Sequence, residues 1–368
     1  MNLNSTITGL PYVGKTTLFN LLTGAHASTG AFAGAEGETN IGVAKVPDDR
    51  VGKLSALFKP KKTTFAEITY RDLGLAKSAT PGEGISPKKL GELRNSDALV
   101  HVVRAFGDPS VPHSEGSVDP LRDMATLDLE LLFSDHAIVE KRLDSIEKEL
   151  RSAKGPDREV KERELAFLQR AKPALENETP LRDVDIDPEE QRVIRGYRFL
   201  TLMPQLVVVN MDEGDVAKPD AVLAPLRAAA AKHRGSAVVA VCAKIEAEIA
   251  ELPVEEANAF RQELGLTEAP IERIVHATYD LLGLTSFYTA GEDEVRAWTI
   301  VKGATAPDGA GTIHSDLERG FIRAEVIRWD ELLKAGSEAN ARKQGLLRTE
   351  GKTYVMQDGD VMNVLFNV

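Results

Sequence analysis

Read for its apolar and polar positions, the chain changes texture three times. Residues 2–8 alternate and stop at Gly9, and an amphipathic run from Lys15 to Leu22 follows, which predicts strand, Gly-rich turn and helix. His26 to Asn40 is rich in Gly, Ala, Ser and Thr without periodicity and reads as a mobile loop. Phe65–Arg71 predicts a strand that leads to Asp72, with Ile68 and Tyr70 on one face. Ala98–Val103, Leu206–Val209 and Ala237–Val241 are short and continuously apolar, as parallel strands covered on both faces are. A doubly wound α/β domain over residues 1–120 and 201–283 is the expected result.

An insertion, roughly Leu121 to Leu200, interrupts that domain. Leu132, Val139, Leu143, Ile146 and Leu150 recur at helical spacing, Gly155-Pro156 breaks the run, and Val160, Leu165, Leu168 and Leu175 form a second arm. A helical hairpin with coiled-coil character is predicted over 121–200, its many charges forming a solvated face. From about Leu284 short β-rich pieces (Val295–Val301, Phe321–Ile327, Thr353–Val355, Val361–Phe366) flank a single helical stretch near Asp330–Gln344. They predict a small α+β, β-grasp-like module over 284–368.

Composition narrows the classes. A length of 368 residues suits two or three domains. No apolar run approaches the roughly 20 residues of a membrane helix, and Met1–Asn4 lacks the basic start of a secretory signal. The single cysteine, Cys242, excludes an internal disulfide framework or a Cys-rich zinc site and fits a reducing compartment, so a cytoplasmic protein without membrane attachment is expected. A formal net charge of −12 argues against a broadly basic nucleic-acid surface, though not against a local patch.

The chemistry starts at Gly9-Leu10-Pro11-Tyr12-Val13-Gly14-Lys15-Thr16, a full match to G-x-x-x-x-G-K-[ST] placed between strand and helix. Such a loop wraps phosphates with backbone N–H groups and a helix start. Gly9, Pro11, Tyr12, Val13, Gly14, Lys15, Thr16 and Thr17 are therefore the expected cradle. Lys15 would reach the β- and γ-phosphates, and Thr16 would ligate Mg²⁺. Asp72, ending a strand, is expected to hold the same ion, with Gly74 near the γ-phosphate; without the cradle, an Asp there would read as a turn former. Asn210-Met211-Asp212-Glu213 follows a buried strand, where α/β folds place ligand contacts. It resembles the guanine-reading N-K-x-D, but Met211 replaces Lys and Glu213 is one methylene longer than Asp, which displaces a carboxylate aligned for guanine. The Asn210 amide could serve adenine. Cys242-Ala243-Lys244 resembles the S-A-K element beside the base.

With these residues in order, the chain resembles the YchF family, the Obg-like ATPases, over nearly its whole length. Besides the motifs above, Val46-Pro47-Asp48, His101-Val102-Val103-Arg104 and Asp119-Pro120 carry the likeness. So do Phe287–Gly291, Val295–Thr299, Gly320–Val326 and Gln357–Val361. The resemblance implies a G-protein-like core, a helical insertion and a C-terminal TGS-type domain. It also implies ATP preferred over GTP, Mg²⁺, and association with ribosomes or RNA; a monomer is expected. It implies that Leu75 stands where many GTPases have a water-orienting Gln, and that His113 is the family's mobile histidine; together with Lys15 they are the candidate catalytic residues.

Three departures from the family pattern concern the γ-phosphate. Tyr12 replaces an Asn that helps bind potassium in related enzymes. The switch Thr is absent, its place falling near Glu36. The D-x-x-G element is one residue short, as Asp72-Leu73-Gly74. The expectation is a divergent member that binds nucleotide well and hydrolyses it slowly. A GTPase and a nucleotide-binding scaffold with little turnover are the alternatives.

Overall fold

The structure, a computed structural model, describes residues 3–27, 39–74, 85–113, 115–263 and 269–367. In chain order, β1 (Asn4–Thr8) leads through the Gly-rich turn to α1 (Lys15–Thr23), followed by β2 (Asn40–Lys45), α2 (Asp49–Phe58), β3 (Lys62–Thr64) and β4 (Glu67–Asp72). Next come α3 (Pro87–Leu93), β5 (Ala98–Ala105), α4 (Pro120–Ser152), α5 (Gly155–Glu176) and α6 (Pro188–Ile194). The chain then forms β6 (Gln205–Met211), α7 (Asp220–Ala230), β7 (Ser236–Val241), α8 (Ala243–Ala250), α9 (Val254–Glu263) and α10 (Pro270–Leu281). It ends with β8 (Leu284–Ala290), β9 (Glu294–Val301), α11 (Ala306–Ile313), α12 (Ser315–Arg319), β10 (Phe321–Arg328), α13 (Trp329–Ala335), α14 (Glu338–Lys343), β11 (Arg348–Glu350) and β12 (Asp360–Phe366).

One six-stranded sheet has the order β2-β4-β1-β5-β6-β7, and β4, β1, β5, β6 and β7 pair in parallel. β1 is mostly Ser and Thr yet lies inside the sheet, with Ser5, Thr6 and Thr8 buried. Thr6 Oγ1 meets this burial by hydrogen bonding to Ser96 Oγ. β5 and β6 are buried on both faces and mostly apolar, as strands covered on both sides are. The doubly wound reading holds. Part of the loop expected over His26–Asn40, including Glu36, lies outside the described residues, as does Leu75.

In the insertion, Leu132, Val139 and Ile146 of α4 meet Phe167, Leu168, Ala171 and Leu175 of α5 in one core. Two details correct the sequence reading. The chain breaks at Ala153-Lys154, and Gly155-Pro156 opens the second helix, because Pro lacks only an N–H that the first turn leaves unpaired anyway. Val160 is exposed rather than part of the seam. A third layer folds onto the hairpin: Leu181, Ile194 and Phe199 enter the same core. Buried Asp135 of α4 accepts hydrogen bonds from Leu200 N (3.0 Å) and Thr201 N (2.7 Å), fixing the return of the chain to β6.

The second sheet has the order β11-β10-β12-β8-β9-β3. β8 and β9 form an antiparallel hairpin, β12 runs parallel to β8 and antiparallel to β10, and Ala306 and Ala310 of α11 enter its core. Three expectations are corrected here. No strand spans Thr353–Val355, where Val355 makes only an isolated bridge to Thr305. The helix near Asp330–Gln344 is split by Gly336 (φ 74°) and a Ser337 N-cap. It also has company, since α11 and α12 precede it.

The chain forms two compact units, Asn4–Gly42 with Thr69–Ala277, and Met1–Leu3 and Val43–Ile68 with Thr278–Val368. Residues 43–68, assigned from sequence to the first domain, are thus grouped with the C-terminal strands: β3 pairs in parallel with β9, and Tyr288 Oη donates to Asp48 Oδ2 at 2.6 Å.

Candidate nucleotide site

Glycine's conformational freedom is used twice in the loop after β1. Gly9 has φ 143°, and a Cβ there would stand 2.3 Å from the Val102 carbonyl oxygen of β5. Gly14 has φ 97° and sits at the N-cap of α1, which has no side-chain cap, so the N–H groups at that helix start face the loop unclaimed by a side chain. Tyr12 takes φ 63° with a side chain 42% exposed, a left-handed conformation unusual for a bulky residue. Pro11, Thr16 and Thr17 are half-buried, and Val13 is buried.

Lys15 curls over this loop and donates from Nζ to the Leu10 carbonyl at 2.7 Å. Burial pushes its ammonium down to about 8, with Asp72 opposing the shift and Lys89 adding to it. Beside it, Thr16 Oγ1 donates to Asp72 Oδ2 at 2.7 Å. Asp72 is buried and its Oδ1 has no hydrogen-bond partner. A hydroxyl and a carboxylate with a spare buried oxygen, at the mouth of a phosphate loop, fit a hard divalent cation that takes its remaining ligands from water and phosphate. No group of three or more His, Cys, Asp or Glu able to hold a metal occurs among the described residues, so the residues fit a shared ion rather than a protein cage.

The two later loops meet the cradle through one side chain. Asn210 Nδ2 donates to Val13 O (3.0 Å), and Asn210 Oδ1 accepts from Ala243 N (3.0 Å). The amide expected to face a base thus spends its oxygen and one N–H on backbone partners. Met211 is buried in the core with Leu223, Leu226 and Ile245, so its side chain is packing. Glu213 and Lys244 are exposed and paired at 2.5 Å, which links the loop after β6 to the start of α8. Cys242 is buried, and burial raises its thiol above the usual range, as expected of an inert packing residue.

His113 is placed apart from these contacts. Its side chain is 8% exposed, its Nδ1 accepts from Glu115 N (3.0 Å), and its Nε2 lies 3.0 Å from Asp123 Oδ2 at the start of α4. That pair is close but not aligned as a hydrogen bond. Gly74 is exposed beside the cradle. Sequence reasoning missed Lys89, whose Nζ would lie 3.9 Å from a Cβ on Gly74. The one signal for it was Ser86-Pro87, a helix start that fixes where residue 89 points.

A parallel α/β sheet with a phosphate loop, a Thr–Asp pair at its mouth and two loops stitched to it defines a P-loop protein of the G-protein-like type. Residues 4–139 match a family model described as a 50S ribosome-binding GTPase, and residues 284–367 match YchF-GTPase_C, described as a protein of unknown function. The chain is 45% identical to the ribosome-binding ATPase YchF of Bacillus subtilis over 100% of both chains. It is 44% identical to that of Escherichia coli O157:H7 over 98% of both. The solved structure of the Schizosaccharomyces pombe YchF GTPase superposes with a TM-score of 0.85 at 32% identity, covering 99% of this chain and 98% of that one. The chain belongs to the YchF family.

Proposed function

We propose that this chain is a Mg²⁺-dependent nucleoside triphosphatase that prefers ATP and acts in the cytoplasm as a nucleotide-controlled switch on ribosomes. The cradle carries the reading: Lys15 over the loop, and Thr16 joined to Asp72 at 2.7 Å with a spare buried oxygen. In it, Lys15 releases Leu10 and turns to the β- and γ-phosphates, while the N–H groups at the start of α1 orient them. Thr16 and Asp72 would hold Mg²⁺, which would supply charge neutralisation for the triphosphate. Asn210 keeps the cradle and the base loops in register, and Glu213 with Lys244 stands at the base. The ribosome as partner rests on the relatives named ribosome-binding ATPases. The TGS-type character of the C-terminal module rests on the family resemblance.

The test is affinity for ATP, ADP and GTP with Mg²⁺, single-turnover hydrolysis on the same protein, and co-sedimentation with ribosomes in each nucleotide state. Tight ATP binding, turnover abolished by Lys15→Ala and state-dependent sedimentation are expected. A second reading, a nucleotide-bound scaffold with negligible turnover, is favoured by His113 being held against Asp123 rather than free to orient water. Tight binding without single turnover would select it.

A further inference from the structure

Lys89 is positioned by the core. Ser86 caps α3 by accepting from Lys89 N, Pro87 sets its first turn, and Leu90 and Leu93 pack in the same cluster as Leu73, Leu99 and Leu131. The helix is therefore anchored beneath the strand end that carries Asp72 and Leu73. Leu73 is itself fixed by donating from N to Ile7 O at 3.1 Å. From that seat the Lys89 ammonium reaches Gly74, 3.9 Å from where a Cβ would stand, and Asp72 in turn binds Thr16 of the cradle.

The strand end Asp72-Leu73-Gly74 thus has Thr16 of the cradle bonded at Asp72 and the Lys89 ammonium beside Gly74. Burial draws the Lys89 ammonium below the ordinary lysine range, with Glu92 and then Asp72 opposing the shift and Lys88 adding to it. Lys15 and Lys89, both partly desolvated, repel each other, and a polyanion bound by both relieves that repulsion.

We propose that Lys89 is a second cationic ligand of the terminal phosphate, supplied in cis by α3 at the point where Gly74 ends the short Asp72-Leu73-Gly74 turn. The proposal rests on the triphosphatase reading above. Lys89 acts by hydrogen bonding and charge and exchanges no atoms. The oxygen of water bonds to the terminal phosphorus, and the bond from that phosphorus to the bridging oxygen breaks with its electron pair left on the diphosphate. The proton of water passes to the released phosphate. In a loose transition state, charge spread over the peripheral oxygens and the leaving diphosphate is what an ammonium there stabilises.

Lys89→Met, Lys89→Arg and wild type are compared by calorimetry with Mg²⁺, using ADP and a non-hydrolysable ATP analogue as probes, with thermal midpoints on the same samples. The expected result for Lys89→Met is about a tenfold loss of affinity for the triphosphate analogue, with ADP changed less than about twofold. Single-turnover hydrolysis should fall by about 10- to 100-fold, and Lys89→Arg should recover part of both losses. Equal weakening of ADP and analogue would make Lys89 only a structural counter-charge for Asp72 and overturn the proposal, as would unchanged affinity for the analogue. Failure of the wild type to bind either nucleotide would instead overturn the triphosphatase reading, and this proposal with it.

Discussion

Asn210 Nδ2 donates to the Val13 carbonyl at 3.0 Å, and that one bond joins the end of β6 to the phosphate loop. The contact is close enough that a Cβ on Gly14 would lie 2.4 Å from the same nitrogen. With Oδ1 accepting from Ala243 N, one amide ties the end of β6 to the phosphate loop and to the start of α8. Asn210→Ala leaves a buried carbonyl and a buried N–H unpaired, a cost of about 1–3 kcal/mol. Because the side chain acts through the cradle, ATP and GTP affinity should fall by similar factors. Melting and calorimetry on the variant check both points, and loss confined to ATP would show that the amide reads the base.

Lys15 gives the site a pH dependence with a definite sign. Its ammonium titrates near 8 in the fold against 10.5 when unperturbed. Between those values the unfolded chain binds more protons, so the nucleotide-free protein gains stability as pH rises through that window. Phosphate binding needs the charged form, so affinity should fall as pH climbs above 8. Nucleotide should also draw a proton from buffer at about pH 8.5. Calorimetry in buffers of different ionisation enthalpy measures that uptake, and Lys15→Arg should abolish it.

Glu213, in the loop after β6, is paired with Lys244 at 2.5 Å. Glu213→Asp pulls the carboxylate back by one methylene, toward the reach that guanine readout requires. The ratio of GTP to ATP affinity should rise by about tenfold or more. An unchanged ratio would remove Glu213 from base selection.

Tyr12 occupies a left-handed conformation that Asn tolerates far better than Tyr does. Tyr12→Asn should therefore raise the melting temperature slightly, relieving strain of about 1 kcal/mol. With a phenol in place of an amide oxygen, wild-type hydrolysis should be equal in potassium and sodium, whereas Tyr12→Asn should acquire a preference for potassium. Potassium stimulation of the wild type would contradict this.

The C-terminal strands borrow from residues 43–68. β3 completes one edge of the sheet, Arg50 bonds to Asp48 (2.8 Å) and Asp358 (2.5 Å), and Lys53 lies 5.5 Å from the Trp329 ring centre. A fragment of residues 284–368 should accordingly show poor amide dispersion by NMR, improved when a peptide of residues 43–68 is added. In the whole chain Tyr288→Phe, which strips a hydrogen bond from Asp48, should cost about 1–2 kcal/mol in denaturant unfolding.

The sequence by itself determined what is local. Gly9 to Thr16 announces a phosphate loop because the backbone shape and the cation lie within eight consecutive residues. Ala98–Val103 and Leu206–Val209 announce buried parallel strands because period and composition are properties of a short window. The arms of the insertion were legible for the same reason, and the errors there, Val160 and the position of the break, are of one turn or less. Tertiary structure alone decided what depends on contacts between distant residues. The bonds from Asn210 to Val13 and Ala243, and the packing of Met211 into the core beside Leu223 and Ile245, exist only once the fold has brought those segments together. The parallel pairing of β3 with β9, and the approach of Lys89 to Gly74, join segments whose own patterns say nothing of each other. Pairing is settled by the burial and hydrogen bonding of the whole chain, and no local window contains it.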